Sequence, residues 1–275
     1  MTNNENNLRQ TAIKAAKEAG RFLMENIDNV KSDEIQYDVH ANPTTKIDRA
    51  SEQKIVEIIK VSFPKHAFLG EELGKSVLIS EYKWIIDPID GTNNYIAKRN
   101  TFSVSIGLEY KGEIILGVIY LPKTDEMFVA EKGKGATLNN EPIHTSKAYD
   151  LSKAIITYST YPGSEDDEIG GLDKRIMNSI PNVKYFGFYD STHIVDETFG
   201  KGGMAAEFCY LACGRIDGLI RLKQKPWDVA AGSLIAAEAG AIMTNLDGKE
   251  CDVYEGDYVA GNAKIVKQLL GIVKK

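Results

Sequence analysis

The chain has 275 residues, of which 43% are hydrophobic and 26% charged, so it can bury one large core or two moderate ones. Its formal net charge of -6 argues against nucleic acid or an anionic membrane as a partner, because no chain-wide positive field attracts phosphate groups. The longest apolar run, Ile114 to Leu121, is too short to span a bilayer. The N-terminus lacks the basic start and apolar core of a secretory signal, so we expect a cytoplasmic protein.

The first half of the chain is predicted to form two helices and then a sheet. Apolar residues recur at helical spacing from Leu8 to Ile27 and from Asp48 to Val61, where Asp48 is placed to cap the helix. The predicted strands are HAFLG, KWIID, TFSVSIGLEY, EIILGVIYL, EMFVAE and GATLN. Turn-forming residues separate them, so we expect an antiparallel sheet flanked by helices.

The pattern changes near residues 146–152. Strands are predicted at AIITYS, VKYFGFY, IDGLIRL, AIMTNL and YVAG, and helices are predicted to begin near Ile169, Gly203, Trp227 and Asn262. Alternation of strands and helices indicates an α/β layer. The sequence therefore predicts two packed lobes: an α+β lobe over residues 1–148 with the antiparallel sheet and a metal motif, and an α/β lobe over residues 149–275 that closes the active site.

Acidic residues lie at three predicted element ends. In WIIDPIDGTNNY, Asp87 and Asp90 follow an apolar run, and Pro88 fixes φ at a bend, so we expect the segment to turn and the two carboxylates to converge. Glu71 ends the preceding strand, and Asp228 begins an Ala-rich helix in KPWDVAAG. Carboxylates at short distance raise one another's pKa, whereas Mg²⁺, which prefers oxygen ligands, removes the conflict.

The residues after the second aspartate suit an anion. Gly91 lets the backbone approach a ligand, and Thr92 to Tyr95 are predicted to form the first turn of a helix, whose unpaired N–H groups attract phosphate. A cation site beside an anion site fits a phosphate monoester bridged to metal. The alternative is that DPIDG is a surface turn and that Asp228 is only a helix cap.

Three motifs together identify a family resemblance. GEE at residues 70–72, WIIDPIDGTNNY and PWDVAAG occur in the order and spacing of the inositol monophosphatase family, and the chain resembles that family, which includes archaeal-type fructose-1,6-bisphosphatases, over nearly its whole length. The resemblance implies a mixed α+β and α/β fold, a two-lobed αβαβα layered sandwich. It also implies a lithium-sensitive phosphatase with two or three Mg²⁺ ions per site, and a homodimer.

The resemblance assigns roles to individual residues. It implies that Glu71, Asp87 and the carbonyl group of Ile89 bind a first metal, and that Asp87, Asp90 and Asp228 bind a second. Thr92, with Glu71 or Asp48, is expected to orient and deprotonate the attacking water, and the segment TTKIDRASE adds Thr45 beside Asp48. The residues implied to bind substrate are Asp90, Gly91, Thr92, Gly203, Met204, Ala205 and Arg221.

Arg221 bears on the choice of substrate. At this position the family usually has a glutamate, which holds ring hydroxyl groups. The strand period places Arg221, Lys223 and Lys225 on one face that points toward Asp228. This arrangement favours a second anionic group, as in a sugar bisphosphate. The alternative is a solvated strand face whose lysines discourage edge pairing.

The predicted function is Mg²⁺-dependent hydrolysis of a small cyclitol or sugar phosphate by metal-activated water, as in inositol-1-monophosphatases. Fructose-1,6-bisphosphatase activity, alone or as a dual activity, ranks second. A 3′(2′),5′-bisphosphate nucleotidase ranks third, because those enzymes usually have Gly-Thr-Lys-Gly where this chain has Gly-Thr-Asn-Asn. The alternative outside the enzymes is a regulator that binds a phosphorylated ligand.

Overall fold

The computed structural model describes residues 3–31, 33, 35–37, 43–159, 167–180, 183–185 and 203–274. The helices of the first half are α1 (Asn3–Asn26), α2 (Lys46–Ser62) and the short α3 (Thr92–Ile96). The strands are β1 (Gln36–Tyr37), β2 (Pro43–Thr44), β3 (Ala67–Gly70), β4 (Gly74–Lys75), β5 (Tyr82–Asp90), β6 (Ser103–Tyr110), β7 (Glu113–Leu121), β8 (Glu126–Glu131), β9 (Ala136–Leu138) and β10 (Glu141–Pro142).

Strands β3 to β10 form one sheet in the order β10-β9-β8-β7-β6-β5-β3-β4, and β1 pairs with β2 separately. The neighbours in the large sheet are antiparallel except β3 and β5, which run parallel. The prediction of an antiparallel sheet is therefore wrong at this edge. The reason is the β4 hairpin and the connection after it, which carry the chain back before β5 begins.

The second half forms a smaller mixed sheet. Its strands are β11 (Ile156–Ser159), β12 (Val183–Tyr185), β13 (Gly218–Arg221), β14 (Ile242–Thr244) and β15 (Tyr258–Gly261), and its helices are α4 (Asp167–Ser179), α5 (Met204–Ala212), α6 (Pro226–Glu238) and α7 (Ala263–Val273). The strand order is β12-β11-β13-β15-β14, and β12, β11 and β13 are parallel. The rest of the predicted strand VKYFGFY, residues 186–189, lies outside the described residues.

Side-chain alternation along the strands divides the interior into three cores. On β5, Trp84 and Ile86 pack with α1 and α2, whereas Ile85 packs with α5 and α6. On β13, Leu219 belongs to the core around α5 and α6, whereas Ile220 faces the core around α4 and α7. The layers are therefore helix, sheet, helix, sheet, helix, as the αβαβα prediction required.

The middle helix layer joins the two halves of the chain. Its core contains residues from the large sheet, such as Ile119, and residues from the second half, such as Phe208. The division at residue 148 stays a prediction.

Close packing of α6 on the large sheet depends on small residues. A Cβ atom on Gly117 would overlap the carbonyl oxygen of Ala231, and one on Gly107 would lie 2.9 Å from the Cβ of Ala230. Such contacts allow the helix backbone to approach β6 and β7 directly. As a result, the first turn of α6, with Asp228, lies near the end of β5. Among the described helices, none is both long and apolar enough to cross a membrane.

Candidate active site

Strand β5 brings Asp87 and Asp90 to the same side of the sheet through a β-bulge. Asp87 lies opposite Ser105 and Asp90 opposite Ser103, so three steps along β5 match two along β6. Without the extra residue, side chains three positions apart would lie on opposite faces. The strand runs through Pro88, so the predicted turn at that residue is wrong. Proline is tolerated at the bulge because no ladder N–H is needed there.

Asp87 and Glu71 form a close acidic pair. Asp87 is 2% exposed, and its Oδ1 accepts a hydrogen bond of 3.0 Å from the N–H of Ile89. Burial, then the charge of Glu71 with which it hydrogen-bonds, raises the pKa of Asp87 well above its usual range. Two carboxyl groups in such contact must share a proton or a cation.

Glu71 directly follows β3, next to β5. Burial of its carboxyl group, and then the charges of Asp228 and Glu72, raise the pKa of Glu71. The residue as a whole is nevertheless exposed. Burial is the first cause at the carboxyl end, and the neighbouring charges add to it.

Asp90 is held by the start of α5. Its Oδ2 accepts hydrogen bonds from the Ser103 hydroxyl at 3.0 Å and from the N–H groups of Ala205 and Ala206 at 3.0 and 3.4 Å. Burial raises the pKa of Asp90 to about 6 despite these bonds. A Cβ atom on Gly203 would overlap the Asp90 carboxylate, so this contact requires glycine.

The predicted substrate residues Gly203, Met204 and Ala205 therefore lie beside Asp90. In this structure the N–H group of Ala205 binds the aspartate. The N-terminus of α5 supports a site carboxylate from behind.

Asp228 occupies the first turn of α6 and belongs to a capping box with Lys225. Its Oδ2 accepts the N–H of Lys225 at 2.8 Å. Burial, and to a lesser extent the charge of Asp90, raises the pKa of Asp228 to about 7. The helix-capping alternative and the metal-site interpretation are thus compatible, because one carboxylate can serve both.

Thr92 connects the metal motif to α2. Its Oγ1 lies 3.0 Å from Asp48 Oδ1 and 3.0 Å from the carbonyl oxygen of Ile89, so its proton can be donated to one of them at a time. Asp48 Oδ2 also accepts from the N–H and the hydroxyl of Thr45, at 2.9 and 2.6 Å. Burial raises the pKa of Asp48 to about 6.

The prediction that Asp48 is the N-cap of α2 is wrong. The N-cap is Thr45, and Asp48 is the third helical residue of a capping box. The sequence pattern placed Asp48 in the correct turn. It did not indicate that Thr45 has the extended backbone of a cap, with φ -129° and ψ 168°.

Gly91 shapes the approach to α3. Its φ of 84° is in the left-handed region, and a Cβ atom there would lie 3.1 Å from the N atom of Gly203 and from the carbonyl oxygen of Thr101. The first N–H that bonds within the helix is that of Asn94, to Gly91. The N–H groups of Gly91 and Thr92 precede it at the helix start, where anions bind.

Arg221 lies in the interior instead of on an open face. It is 1% exposed, forms an ion pair with Glu207 of α5, and donates hydrogen bonds to Thr157 at 2.9 Å and to the Ile220 carbonyl at 2.7 Å. Burial lowers the pKa of Arg221 to about 9, and the charge interaction with Tyr158 opposes that shift. The guanidinium group is therefore charged at neutral pH.

The predicted common face of Arg221, Lys223 and Lys225 is wrong. Strand β13 ends at Arg221, and Lys223 has a φ of 57°, so the alternation stops. Lys223 and Lys225 are exposed, whereas Arg221 is buried.

Two supporting residues were missed at the sequence level. Ser51 and Glu52 are buried on α2, one turn beyond Asp48, and they contact the segments that carry Pro88 and Glu71. Burial raises the pKa of Glu52 to about 7. Their spacing of three and four residues from Asp48 places them on the same helix face, and this spacing could have indicated their supporting role.

The donor set fits a hard divalent cation. Among the described residues, no three acidic, histidine or cysteine side chains already have the arrangement of a metal site. However, Glu71, Asp87, Asp90 and Asp228 offer only oxygen ligands, and each has a raised pKa, for which burial is the first cause. A cation that stabilises the ionised forms would remove this cost.

A model of the inositol monophosphatase family matches residues 4–274. The chain belongs to this family. A relative from Aquifex aeolicus, named fructose-1,6-bisphosphatase/inositol-1-monophosphatase, is 34% identical over 261 residues, which cover 95% of this chain and 93% of the relative. A relative from Vibrio cholerae, named Nus factor SuhB, is 34% identical over 269 residues, which cover 96% and 94%.

The solved structures agree with this family. An inositol monophosphatase from Anabaena (Nostoc) superposes with a TM-score of 0.80 at 32% identity, over 98% of this chain and 96% of the other. The predicted family and layered fold are thus confirmed, and the chain is a phosphoric monoester hydrolase of the inositol monophosphatase family. The roles of individual site residues stay predictions.

Proposed function

We propose that this inositol monophosphatase family member is a Mg²⁺-dependent enzyme that hydrolyses a small cyclitol or sugar phosphate. One observation carries the proposal: acids from three segments, Glu71, the pair Asp87 and Asp90, and Asp228, act on one another's pKa beside the start of α3. Clusters of acidic residues with strongly shifted pKa values are typical of functional sites.

The metal ligands follow from the donor positions and the family resemblance. Glu71, Asp87 and the carbonyl group of Ile89 would hold one cation, and Asp87, Asp90 and Asp228 a second. Four carboxylates are neutralised by two divalent ions. Bound Mg²⁺ would polarise the phosphate and lower the pKa of a bound water.

Thr92 and Asp48 would orient the attacking water. Because the hydroxyl of Thr92 can donate to Asp48, its oxygen lone pairs are directed to accept a hydrogen bond from water. Asp48, supported by Thr45, is the acceptor for the proton on this path. General acid–base groups contribute roughly 10²–10⁴-fold, so the cations must supply most of the rate enhancement.

The substrate phosphate would lie against the N–H groups of Gly91 and Thr92. Their position at a helix start favours an anion there. Glycine permits the φ of 84° at residue 91, with which the chain enters this helix start.

The buried pairing of Arg221 favours a monophosphate as the first substrate class. Contact with a distal phosphate would require the ion pair with Glu207 to open. Fructose-1,6-bisphosphate remains the second candidate, supported by the name of the Aquifex aeolicus relative, and a 3′(2′),5′-bisphosphate nucleotide the third. Inhibition by Li⁺ and a homodimer complete the proposal, on family resemblance.

The test is phosphate release from inositol-1-phosphate, fructose-1,6-bisphosphate and adenosine-3′,5′-bisphosphate, each with Mg²⁺ and with EDTA. We expect turnover only with Mg²⁺, and the highest kcat/KM on inositol-1-phosphate. Turnover that EDTA leaves unchanged would contradict the metal-dependent mechanism, and a preference for either bisphosphate would replace the substrate assignment.

A second role is suggested by the relatives named Nus factors, from Vibrio cholerae and from Neisseria meningitidis. We propose a regulatory role in transcription as a function that this chain could have alongside hydrolysis. A transcription assay with wild type and with a hydrolysis-deficient Asp90→Asn variant separates the two functions. Equal effects of both proteins on transcription are expected if the regulatory role is independent, and no effect of wild type rejects it.

A further inference from the structure

We propose that Glu52, together with Ser51, is a positioning residue that fixes the orientation of Glu71 and the metal motif from beneath. This inference rests on the proposed metal-dependent function. Neither residue is expected to touch substrate. Both would act through the backbone segments that carry the proposed metal ligands.

Ser51 and Glu52 lie on the same face of α2 as Asp48. Asp48, Ser51 and Glu52 have i, i+3 and i+4 spacing, which places them on one side of the helix. Their exposures are 1%, 0% and 1%. A helix that buries three polar side chains without partners would lose stability, so the contacts of this face require explanation.

Each of the three side chains reaches a different part of the candidate site. Asp48 accepts the hydroxyl of Thr92. Ser51 Oγ donates to the carbonyl of Pro88 at 3.3 Å, between the two aspartates of the bulge. Glu52 reaches the turn that begins with Glu71. One helix face therefore supports both segments of the first half that supply proposed ligands.

The Glu52 carboxylate lies against the residues on both sides of Glu71. Glu52 Oε2 accepts the N–H of Glu72 at 2.8 Å, and both carboxylate oxygens lie 3.3 Å from the N atom of Leu73. On the other side, a Cβ atom on Gly70 would overlap the Glu52 carboxylate. The carboxylate thus contacts the backbone immediately before and after Glu71.

The turn that carries Glu71 has little buried surface of its own. Besides Glu52, it is held by the bond from the Glu71 N–H to the Ile86 carbonyl at 3.2 Å and by the Thr44 hydroxyl, which donates to Glu72 at 2.8 Å. Glu71 and Leu73 are exposed, and β4, which follows, has two exposed residues. Segments with little buried apolar surface open at low free energy. A buried carboxylate that accepts hydrogen bonds from two backbone N–H groups can hold such a turn, most strongly when it is ionised. Glu52 therefore controls where the Glu71 carboxylate lies relative to Asp87.

The test compares Glu52→Ala and Glu52→Gln with a control, Glu57→Gln, on the exposed face of the same helix. Mn²⁺ binding to the metal-free full chain is measured by calorimetry or by the spin-resonance signal of free Mn²⁺. We expect Glu52→Ala to weaken Mn²⁺ binding roughly 10- to 100-fold, the usual effect of losing a group that orients a metal ligand. Glu52→Gln should fall between, since its carbonyl oxygen still accepts one N–H group. Glu57→Gln should match wild type.

Two further measurements separate positioning from general support of the fold. Amide hydrogen exchange should accelerate at residues 71–75 in Glu52→Ala, with the rest of the chain unchanged. With Mg²⁺ below saturation, kcat should fall while KM for inositol-1-phosphate stays within about twofold, because a residue that acts through the metal changes transition-state and not ground-state binding.

Folded Glu52→Ala and Glu52→Gln proteins with wild-type Mn²⁺ affinity would overturn the positioning role alone. If Glu52→Ala does not fold, the affinity of Glu52→Gln decides. A wild-type chain that binds no Mn²⁺ would overturn the metal-dependent function and this inference together, so the two failures are distinguishable.

Discussion

The acidic residues around Asp87 and the ion pair at Arg221 are both buried, but the two regions differ in charge balance. Asp87 and Asp90 are held by N–H and hydroxyl donors, and their pKa values are raised. Arg221 is paired with Glu207 and bonded to Thr157, so the charges cancel inside the second half of the chain. Unbalanced buried charge indicates where a cation binds, whereas a balanced pair indicates supporting structure.

Helix α5 links these two regions. Its first N–H groups, including that of Ala205, hold Asp90, and Glu207 in the same first turn is paired with Arg221. The neutral pair thereby fixes the helix whose start supports a proposed metal ligand. We expect mutations at the two positions to differ in kind: loss of stability at Arg221, and loss of metal binding and rate at Asp90.

The largest expected effect is on stability. Arg221→Met leaves the Glu207 carboxylate buried without its cation, so the free energy of unfolding should fall by about 3–5 kcal/mol. The double variant Glu207→Met with Arg221→Met should recover most of this loss, because it removes both charges. Urea denaturation of wild type and the two variants measures the difference. Unchanged stability in Arg221→Met would contradict the supporting role of the ion pair.

The next effect is on rate. Asp90→Asn keeps the shape of the side chain but removes a charge from the proposed metal site, so kcat/KM should fall roughly 10²–10³-fold, as for other preorganised electrostatic contacts. Asp247→Asn, in an exposed turn, is the control and should retain wild-type kinetics. Asp90→Asn with more than a tenth of wild-type activity at saturating Mg²⁺ would remove the distinction between the two regions.

A smaller effect is expected where α6 contacts the sheet. Gly117→Ala introduces an overlap with the Ala231 carbonyl, so overpacking should cost about 1–3 kcal/mol. Gly271→Ala is the matched control, since nothing lies within 4 Å of a new Cβ atom on that helical glycine. It should stabilise the chain by about 0.4–1 kcal/mol. Thermal unfolding of both variants tests the claim, and equal Tm values would contradict it.

The smallest effect concerns pH and lies away from both charged regions. Burial lowers the pKa of His66, whose Nδ1 accepts a hydrogen bond of 3.1 Å from Trp84 Nε1. A lowered pKa in the folded state means that the unfolded chain binds the proton more readily. The contribution of His66 is therefore present above the usual histidine pKa of about 6.5 and is lost as the pH falls through the lower folded value.

His66→Phe keeps an aromatic ring in the stack with Phe63 and Tyr82 but removes the titration. The difference in unfolding free energy between wild type and His66→Phe should decrease as the pH falls from about 7.5 to about 5. A difference independent of pH would show that the histidine does not titrate in this window.

Local pattern was sufficient for much of the fold. Strands β7, β8 and β15 have the bounds that their apolar and β-branched runs predicted. The acids of the metal motif and Asp228 also stood out, because each follows or begins a strongly patterned element. These features depend on residues close together in sequence, which periodicity reports directly.

Long-range pairings were not predictable in the same way. The parallel pairing of β3 with β5, the contact of Glu52 with the N–H of Glu72, and the ion pair of Arg221 with Glu207 all join separate segments. The β-bulge was missed because Pro88 between two aspartates also fits a turn. In each case tertiary contacts decide between local conformations that the sequence permits equally.

The most direct test of the central claim is a Mg²⁺ titration of metal-free wild type and Asp90→Asn. Calorimetry follows binding, and phosphate release from inositol-1-phosphate follows activity in the same samples. We predict that binding and activity rise together in wild type, that EDTA abolishes both, and that Asp90→Asn binds Mg²⁺ more weakly. Full turnover in EDTA, or identical Mg²⁺ binding in both proteins, would contradict the account.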